Sequence, residues 1–299
     1  MKHARHALII IFLLCFSNTM ASTNGLALLK VESGARPAGM GGAFVSLNNH
    51  PDASIYNPAG SIDVNKFTIS LGHISYWDNI RMESAHFAMG LSKRMFIHGG
   101  IRFATVDNLE MRGDVPVELP EGLFDLHDVS FKGGLSMKIT DRISAGFSAG
   151  WILEKIEGWR GSVFNFDLGV QAKAMENLNV GASATDIGSE FTLSKNTSNG
   201  SRPISLPTAY RVGASYTYDK LLGALDMVYT DDKAHLHVGA EGNIHPLFQV
   251  RAGYMFNYDV KNLTAGASFT KRNLTVDYAF VPYKQDLGST HIINLSFSL

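Results

Sequence analysis

The sequence predicts an all-β chain that spans a membrane as a closed antiparallel β-barrel of about 14 strands, and three observations carry that expectation. From Lys66 onward, apolar residues alternate with small or polar ones in segment after segment. Most of these segments have roughly the 9–11 residues that a tilted strand needs to cross a bilayer. The two long polar connections between them fall on the same side of the chain's up-and-down path. A content of 29 Gly with only 9 Pro and 18% charged residues suits a β-protein, and no segment sustains a helical period.

The first residues read as a targeting segment. Lys2 and Arg5 make a positive start, Ala7 to Phe16 is an unbroken apolar run, and Thr19-Met20-Ala21 suits signal peptidase. The run is shorter than the ~20 apolar residues of a membrane-spanning helix. Leu14 stands before Cys15 where a lipobox requires a small residue. Residues 1–21 are therefore expected to be cleaved from an exported bacterial protein, and Cys15, the single cysteine, to leave with them. The mature chain then has no disulfide and is held by backbone pairing and packing alone. Removing Lys2 and Arg5 leaves 24 Lys+Arg against 27 acids, a net charge of −3, which argues against a nucleic-acid partner.

In a strand, residues two apart share a face, so alternation means one apolar face and one wet face. Ile143, Ala145, Phe147, Ala149, Trp151 and Leu153 form one such face; Ser144, Gly146, Ser148 and Gly150 form the other. Phe164, Phe166, Leu168 and Val170 alternate in the same way with Asn165, Asp167, Gly169 and Gln171. Marking every run gives strands near 66–76, 82–91, 94–106, 128–138, 142–155, 163–174 and 178–186. The second half gives 208–218, 221–230, 234–243, 247–257, 261–270, 273–282 and 289–299. Links after even-numbered strands are tiny, such as Ser92-Lys93, Asp219-Lys220 and Lys271-Arg272. The long links, 107–127 and 187–207, both follow odd-numbered strands, as the outer loops of a bacterial barrel do. A soluble β-sandwich or propeller also alternates, but the targeting segment, even count and one-sided long loops favour the membrane barrel. Tyr76, Trp77, Tyr218, Tyr229, Tyr258 and Tyr283 lie near strand ends, where interfacial girdles would place them. The last strand ends on Leu299 with apolar residues at alternate positions before it, similar to the terminal strand read by barrel-assembly machinery.

Residues 22–65 do not alternate. They carry Gly34-Ala35-Arg36-Pro37-Ala38-Gly39-Met40-Gly41-Gly42-Ala43-Phe44 and then Asn57-Pro58-Ala59-Gly60. With Val238-Gly239-Ala240-Glu241, Arg251-Ala252-Gly253-Tyr254, Asp277-Tyr278-Ala279-Phe280 and Asp286-Leu287-Gly288-Ser289 near the other end, the chain resembles the PorV/PorQ family of outer-membrane proteins. That family shares the FadL-type fourteen-stranded barrel, so the resemblance implies that residues 22–65 plug the lumen and that 66–299 form the barrel. The residues agree with this on their own terms. Gly39, Gly41 and Gly42 permit tight turns and close approach to a wall. Pro58 biases Asn57 towards an extended shape before strand one. Arg36 suits a lumen carboxylate better than lipid. A phosphate-cradling reading of Gly39-Met40-Gly41 lacks both the third glycine and a leading strand.

His235, His237, Glu241, Arg251 and Asp277 fall on the predicted lumen face, where a polar network would fix the plug and shape the pore. His235 and His237 share a face, but two ligands do not make a metal site, and no cofactor is expected. Ser, His and Asp show no triad or elbow pattern, so no catalytic residue is assigned and the protein is not read as an enzyme. Triplets such as Asn196-Thr197-Ser198 and Asn262-Leu263-Thr264 carry no meaning here. In the first long link, Leu119, Leu123, Phe124 and Leu126 suit a self-packed surface loop or, nearly as well, an apolar lip over the pore mouth or a partner contact. The PorV/PorQ resemblance implies a component of type IX secretion that binds exported proteins. The FadL-type fold alone implies instead a passive transporter of hydrophobic small molecules, the second reading, since fold is a poorer guide to function than family resemblance. Outer-membrane lipid, secretion-system subunits or exported proteins, and a hydrophobic ligand are the corresponding partners.

Overall fold

The computed structural model describes residues 26–64, 66–76, 80–113, 118–195 and 203–299. The targeting segment with Cys15, residues 22–25, Trp77 and the triplet at Asn196 lie outside the described residues. Fourteen strands follow one another: β1 (Phe67–Ser75), β2 (Ile80–Gly90), β3 (Met95–Met111), β4 (Gly122–Lys138), β5 (Ile143–Ile156), β6 (Trp159–Met175) and β7 (Leu178–Gly188). The rest are β8 (Ala209–Tyr218), β9 (Leu221–Thr230), β10 (Lys233–His245), β11 (Phe248–Phe256), β12 (Leu263–Lys271), β13 (Leu274–Pro282) and β14 (Ser289–Ser298). Each pairs antiparallel with its sequence neighbours, and β14 returns to β1, closing the barrel. Closure leaves no sheet edge, the condition a sheet must meet where no water reaches its amides.

The alternation read in the sequence is the alternation of faces. On β5, Ile143 and Phe147 point outward while Ser144, Ser148 and Ile152 are buried inside. On β6, Phe164 and Leu168 are exposed on the outer wall, whereas Asn165, Asp167 and Gln171 are buried. Outward rings stack along the wall, as with Phe131 and Trp151 at 6.2 Å and Phe147 and Phe166 at 6.0 Å. A slip of one residue would turn every one of these side chains to the wrong solvent, which pins the register. Turns follow from local chemistry: Asp231 and Asp232 both adopt positive φ (50° and 59°), as the two-residue hairpin between β9 and β10 requires.

Strand ends differ from the sequence expectation where the chain leaves hydrocarbon. The 107–127 link is largely strand, because after a bulge at Val106/Leu109 the ladder resumes with Leu109 opposite Phe124 and Glu110 opposite Leu123. Asn108 sits at the bulge with φ 59° and donates its N–H to Asp125 Oδ1 at 3.0 Å. The hairpin is flanked by Asp107, Glu110 and Asp125, so polar side chains on both faces hide its period. Leu119 and Leu123 are exposed and Phe124 is half-buried on this hairpin, so they form no closed lip. The 187–207 link also folds back: Phe191 pairs with Ile204, and Phe191, Leu193 and Leu206 bury against Leu26, Ile152 and Val163. Of the expected girdle, Tyr218 is exposed, whereas Tyr76, Tyr258 and Tyr283 turn inward. Tyr283 donates its hydroxyl to that of Tyr76 at 2.7 Å, a bond that favours the lumen over the lipid interface.

Replacing outward Phe147 with Arg should lower barrel stability by about 2–4 kcal/mol. Reversible guanidinium unfolding from lipid vesicles measures it, and an unchanged midpoint would refute the lipid-facing assignment.

Candidate functional site

Residues 26–64 lie inside the barrel as short pieces: α1 (Ala27–Lys30), α2 (Ala35–Gly39), α3 (Ala53–Tyr56) and a 3-10 turn at Pro58–Gly60. None is long enough to be stable alone, so the wall dictates their path. Lumen-facing glycines make room for them. A methyl group at Gly146 would overlap Pro58, one at Gly169 would overlap Asn57, one at Gly181 Val45, and one at Gly253 Gly41. Gly41 and Gly42, at φ 63° and 75°, turn the chain where a side chain would meet Tyr254 or His237.

Polar side chains from the whole circumference then satisfy the segment's backbone. Asn57 is fully buried; its Nδ2 donates to Val45 O at 2.8 Å and Val170 O at 3.1 Å, and its Oδ1 accepts from Ala59 N–H at 3.0 Å. Gln171 donates to the carbonyls of Val45 and Leu47, Ser183 to that of Tyr56, and Ser136 to that of Pro58. Asn294 accepts the N–H of Ala35 at 2.9 Å. Asp226 accepts two, from Phe44 at 2.6 Å and Val45 at 2.8 Å. In a lumen closed to water, each such bond removes an otherwise orphaned group.

Arg36 makes a two-pronged contact with Glu241, both bonds 3.0 Å. Glu241 also accepts Arg251 Nε at 2.6 Å, and Arg251 Nη1 reaches Asp277 at 3.0 Å. Two guanidiniums thus face two carboxylates, a balanced set as buried ions require. A second set joins Lys132 to Asp167 at 2.8 Å and Asp186 at 2.9 Å. Asp186 sits at φ 58° in an irregular stretch of the β6–β7 ladder, held there by Lys132 and Asn165.

Above residues 26–64, at the end of the barrel carrying the longer connections, the lumen opens into a cavity of about 1070 Å³. Leu28, Glu32, Ile55 and Tyr56 form its floor. Ile74, Met82, Ala104 and Tyr283 make one apolar wall, and Arg211, His235, His237 and Tyr258 make a polar one. His237 Nε2 lies 2.9 Å from the Tyr258 hydroxyl, and His235 stacks on the same ring at 3.9 Å. Lys261 holds Glu32 at 2.5 Å, and Lys30 holds Asp231 at 2.8 Å, so two ion pairs tie the floor to the rim. Burial alone would push the Glu32 carboxyl up; the Lys261 charge and hydrogen bond outweigh it and hold the group below its ordinary value.

No protein-family model matches the chain, and no curated protein matches it. Solved structures do. The toluene transporter TbuX of Ralstonia pickettii is 15% identical with a TM-score of 0.64, over 89% of this chain and 98% of that one. The toluene transporter TodX of Pseudomonas putida is 13% identical with a TM-score of 0.65, over 92% and 98%. A FadL homologue of Pseudomonas aeruginosa is 13% identical with a TM-score of 0.56, over 93% and 98%. The chain has the fold of these barrels, fourteen antiparallel strands closed on themselves. At these identities the likeness shows the fold and leaves the cargo to be argued from the site. The FadL-like part of the expected resemblance stands, while the comparisons do not show PorV or PorQ.

The residues singled out from sequence fall in two places. Of residues 34–42, Arg36 meets Glu241, Gly39 lies against Arg251, Ala35 bonds Asn294, Met40 packs on Gly239, Gly41 and Gly42 lie against Tyr254 and His237, and Gly34 lies against Asp52, whereas Asn57, Pro58, Ala59 and Gly60 meet β4, β5 and β6. Glu241, Arg251 and Asp277 form one network, whereas His235 and His237 stand apart on the cavity wall. Sequence reasoning did not single out Asp226, Gln171, Asn294 or the Lys132 set. The available signal was a charged or amide residue on the wet parity of a strand otherwise lined with Gly and Ser.

Two outcomes test this arrangement. Arg36→Ala should destabilise the docked segment by about 1–3 kcal/mol, read as lost amide-exchange protection across residues 34–47; unchanged protection would remove Arg36 from that role. Because the folded Glu32 value lies below the unfolded one, its contribution is complete above the ordinary Glu range and lost as pH falls through it. Protection factors at residues 28–33 should therefore drop between about pH 7 and pH 3, and Lys261→Met should abolish that drop; a pH-independent wild type would refute the clamp.

Proposed function

We infer that the protein is a passive transporter that admits small hydrophobic molecules across the outer membrane, with residues 26–64 as the hatch in its lumen. The observation that carries this reading is the outer cavity: ligand-sized, apolar on one wall, and floored by the segment that fills the inner lumen. Every neighbouring strand pair is hydrogen-bonded round the barrel, so passage in this arrangement runs past the segment and not between strands. The segment suits that role, since among the described residues it is held by many individually modest polar contacts and by four small apolar clusters, and is not woven into the sheet. The fold likeness to TbuX and TodX, each named a toluene transporter, supports the reading by analogy. A secretion component binding exported proteins finds no support in the comparisons, and a ligand-sized cavity inside the lumen would have no part in it.

The test is uptake of a small aromatic hydrocarbon into proteoliposomes. The intact protein should pass it with little ion conductance, and a chain lacking residues 26–64 should conduct ions in planar bilayers. Where that deletion fails to fold, Asp226→Ala, which orphans two amides of the segment, should raise conductance. A barrel that neither takes up hydrocarbon nor changes conductance in either variant would refute the transporter reading.

A further inference from the structure

Among the described residues eight carboxylates are buried in the barrel: Asp52, Asp128, Glu154, Asp167, Asp186, Asp226, Glu241 and Asp277. Six of them accept hydrogen bonds, from Ser70, Lys132, Phe44, Arg36 or Arg251 among others. Asp128 and Glu154 do not. Asp128 Oδ1 and Glu154 Oε2 meet no donor, and among the described residues no cationic nitrogen lies within 4.0 Å of either carboxylate. The two stand directly opposite each other on β4 and β5, which sets their Cβ atoms about 4.5–5.5 Å apart. Like charges so placed repel, and burial without a partner adds to the cost. Both residues line the outer cavity.

Their surroundings are apolar on one side, while buried Ser130 and Arg102, paired with each other on β4 and β3, stand two residues further along the same face. Leu126 and Ile152, two residues before each on its own strand, face the same interior, and Ala104 lies opposite Asp128 on β3. The pair thus sits between the buried cluster around Ile152 and Leu26 and that around Met82 and Ala104. The cavity's cations do not pair with it: Lys30 and Lys261 are committed to Asp231 and Glu32, Arg211 to Thr185, and neither Arg102 nor Lys233 brings a nitrogen within 4.0 Å of either carboxylate. A metal ion would need more oxygens than two side chains offer, and no cluster of three or more metal-binding residues occurs among the described residues.

We propose that Asp128 and Glu154 form a receptor for the positively charged nitrogen of an otherwise apolar molecule, making an organic amine a ligand of the outer cavity. The ammonium bridges the two carboxylates and relieves their repulsion, while its hydrocarbon part lies along Leu126, Ile152 and Ala104. The proposal rests on the transporter reading and names its ligand class more narrowly than a plain hydrocarbon.

The experiment compares benzylammonium, toluene and benzoate, three ligands of similar shape and different charge, by equilibrium dialysis against the full chain in lipid nanodiscs. Wild type should bind benzylammonium about ten-fold more tightly than toluene and benzoate most weakly. Asp128→Asn with Glu154→Gln should erase that preference and leave toluene affinity within about two-fold. Glu154→Gln alone, which keeps one carboxylate, serves where the double variant does not assemble and should remove part of it. Equal affinity for toluene and benzylammonium in wild type, or an unchanged preference in the variants, would overturn the proposal while leaving the transporter reading intact. Binding of calcium alone that the variants lose, with no preference for the amine, would overturn it in favour of a metal site. Binding of none of the three aromatics would overturn the transporter reading beneath it.

Discussion

In hydrocarbon a backbone amide has no water to turn to, so a sheet must find a partner for each one within itself. The β1–β14 seam is what makes that possible here: Thr68 to Ser75 pair with Ser298 to His291, and the row of amides has no open end. Closure creates a second space as well, a lumen narrow enough that anything within it must also be satisfied by the wall. The inner half meets this demand with small residues and amides. Glycines at 146, 169, 181 and 253 leave grooves, and Asn57, Gln171, Ser183 and Asn294 supply donors and acceptors along them. The lumen segment is thus a complement to the wall and has little independent structure.

Charge divides the lumen into two regimes. Towards the inner end, Arg36, Glu241, Arg251 and Asp277 cancel, and the carboxylate of Asp226 is shared by two peptide N–H groups. Towards the outer end, the wall is part apolar and part polar, and two carboxylates face each other without a donor. Satisfied interiors hold one arrangement; an interior with unmet polar groups favours whatever can meet them.

Much of the fold was legible because lipid and lumen impose a period of two on every spanning strand, visible without knowing any partner. The strands from Leu221 to Thr230 and from Leu178 onward were placed to within a residue or two for that reason. Legibility failed where the lipid ended: beyond Val106 both faces of the hairpin meet water, and Asp107, Glu110 and Asp125 remove the contrast that marks a strand. Arg36 and the Glu241–Arg251–Asp277 set could be found because charges on a wet parity stand out. Asp226 could not be matched to Phe44 from sequence, since 182 residues separate them and periodicity carries no information about distance across a barrel. The glycine-rich front segment pointed to a tight lumen fit, yet the secretion role inferred from its likeness to PorV and PorQ did not follow, since such motifs describe how a segment packs and not what passes beside it.

The contact between Ala35 and Asn294 spans 259 residues, nearly the length of the chain. Asn294 lies on β14, where it also donates to Ser70 and Asp52, so one side chain joins the closing strand, the first strand and the lumen segment. The order of assembly follows from this geometry. The segment made first cannot settle until the strand made last arrives, and the entropy of bringing such distant parts together is met once, when the seam zips shut. A polypeptide cut short before Ser289 would lose, with residues 289–299, both the seam to Thr68–Ser75 and the bonds of Asn294 to Ala35, Ser70 and Asp52.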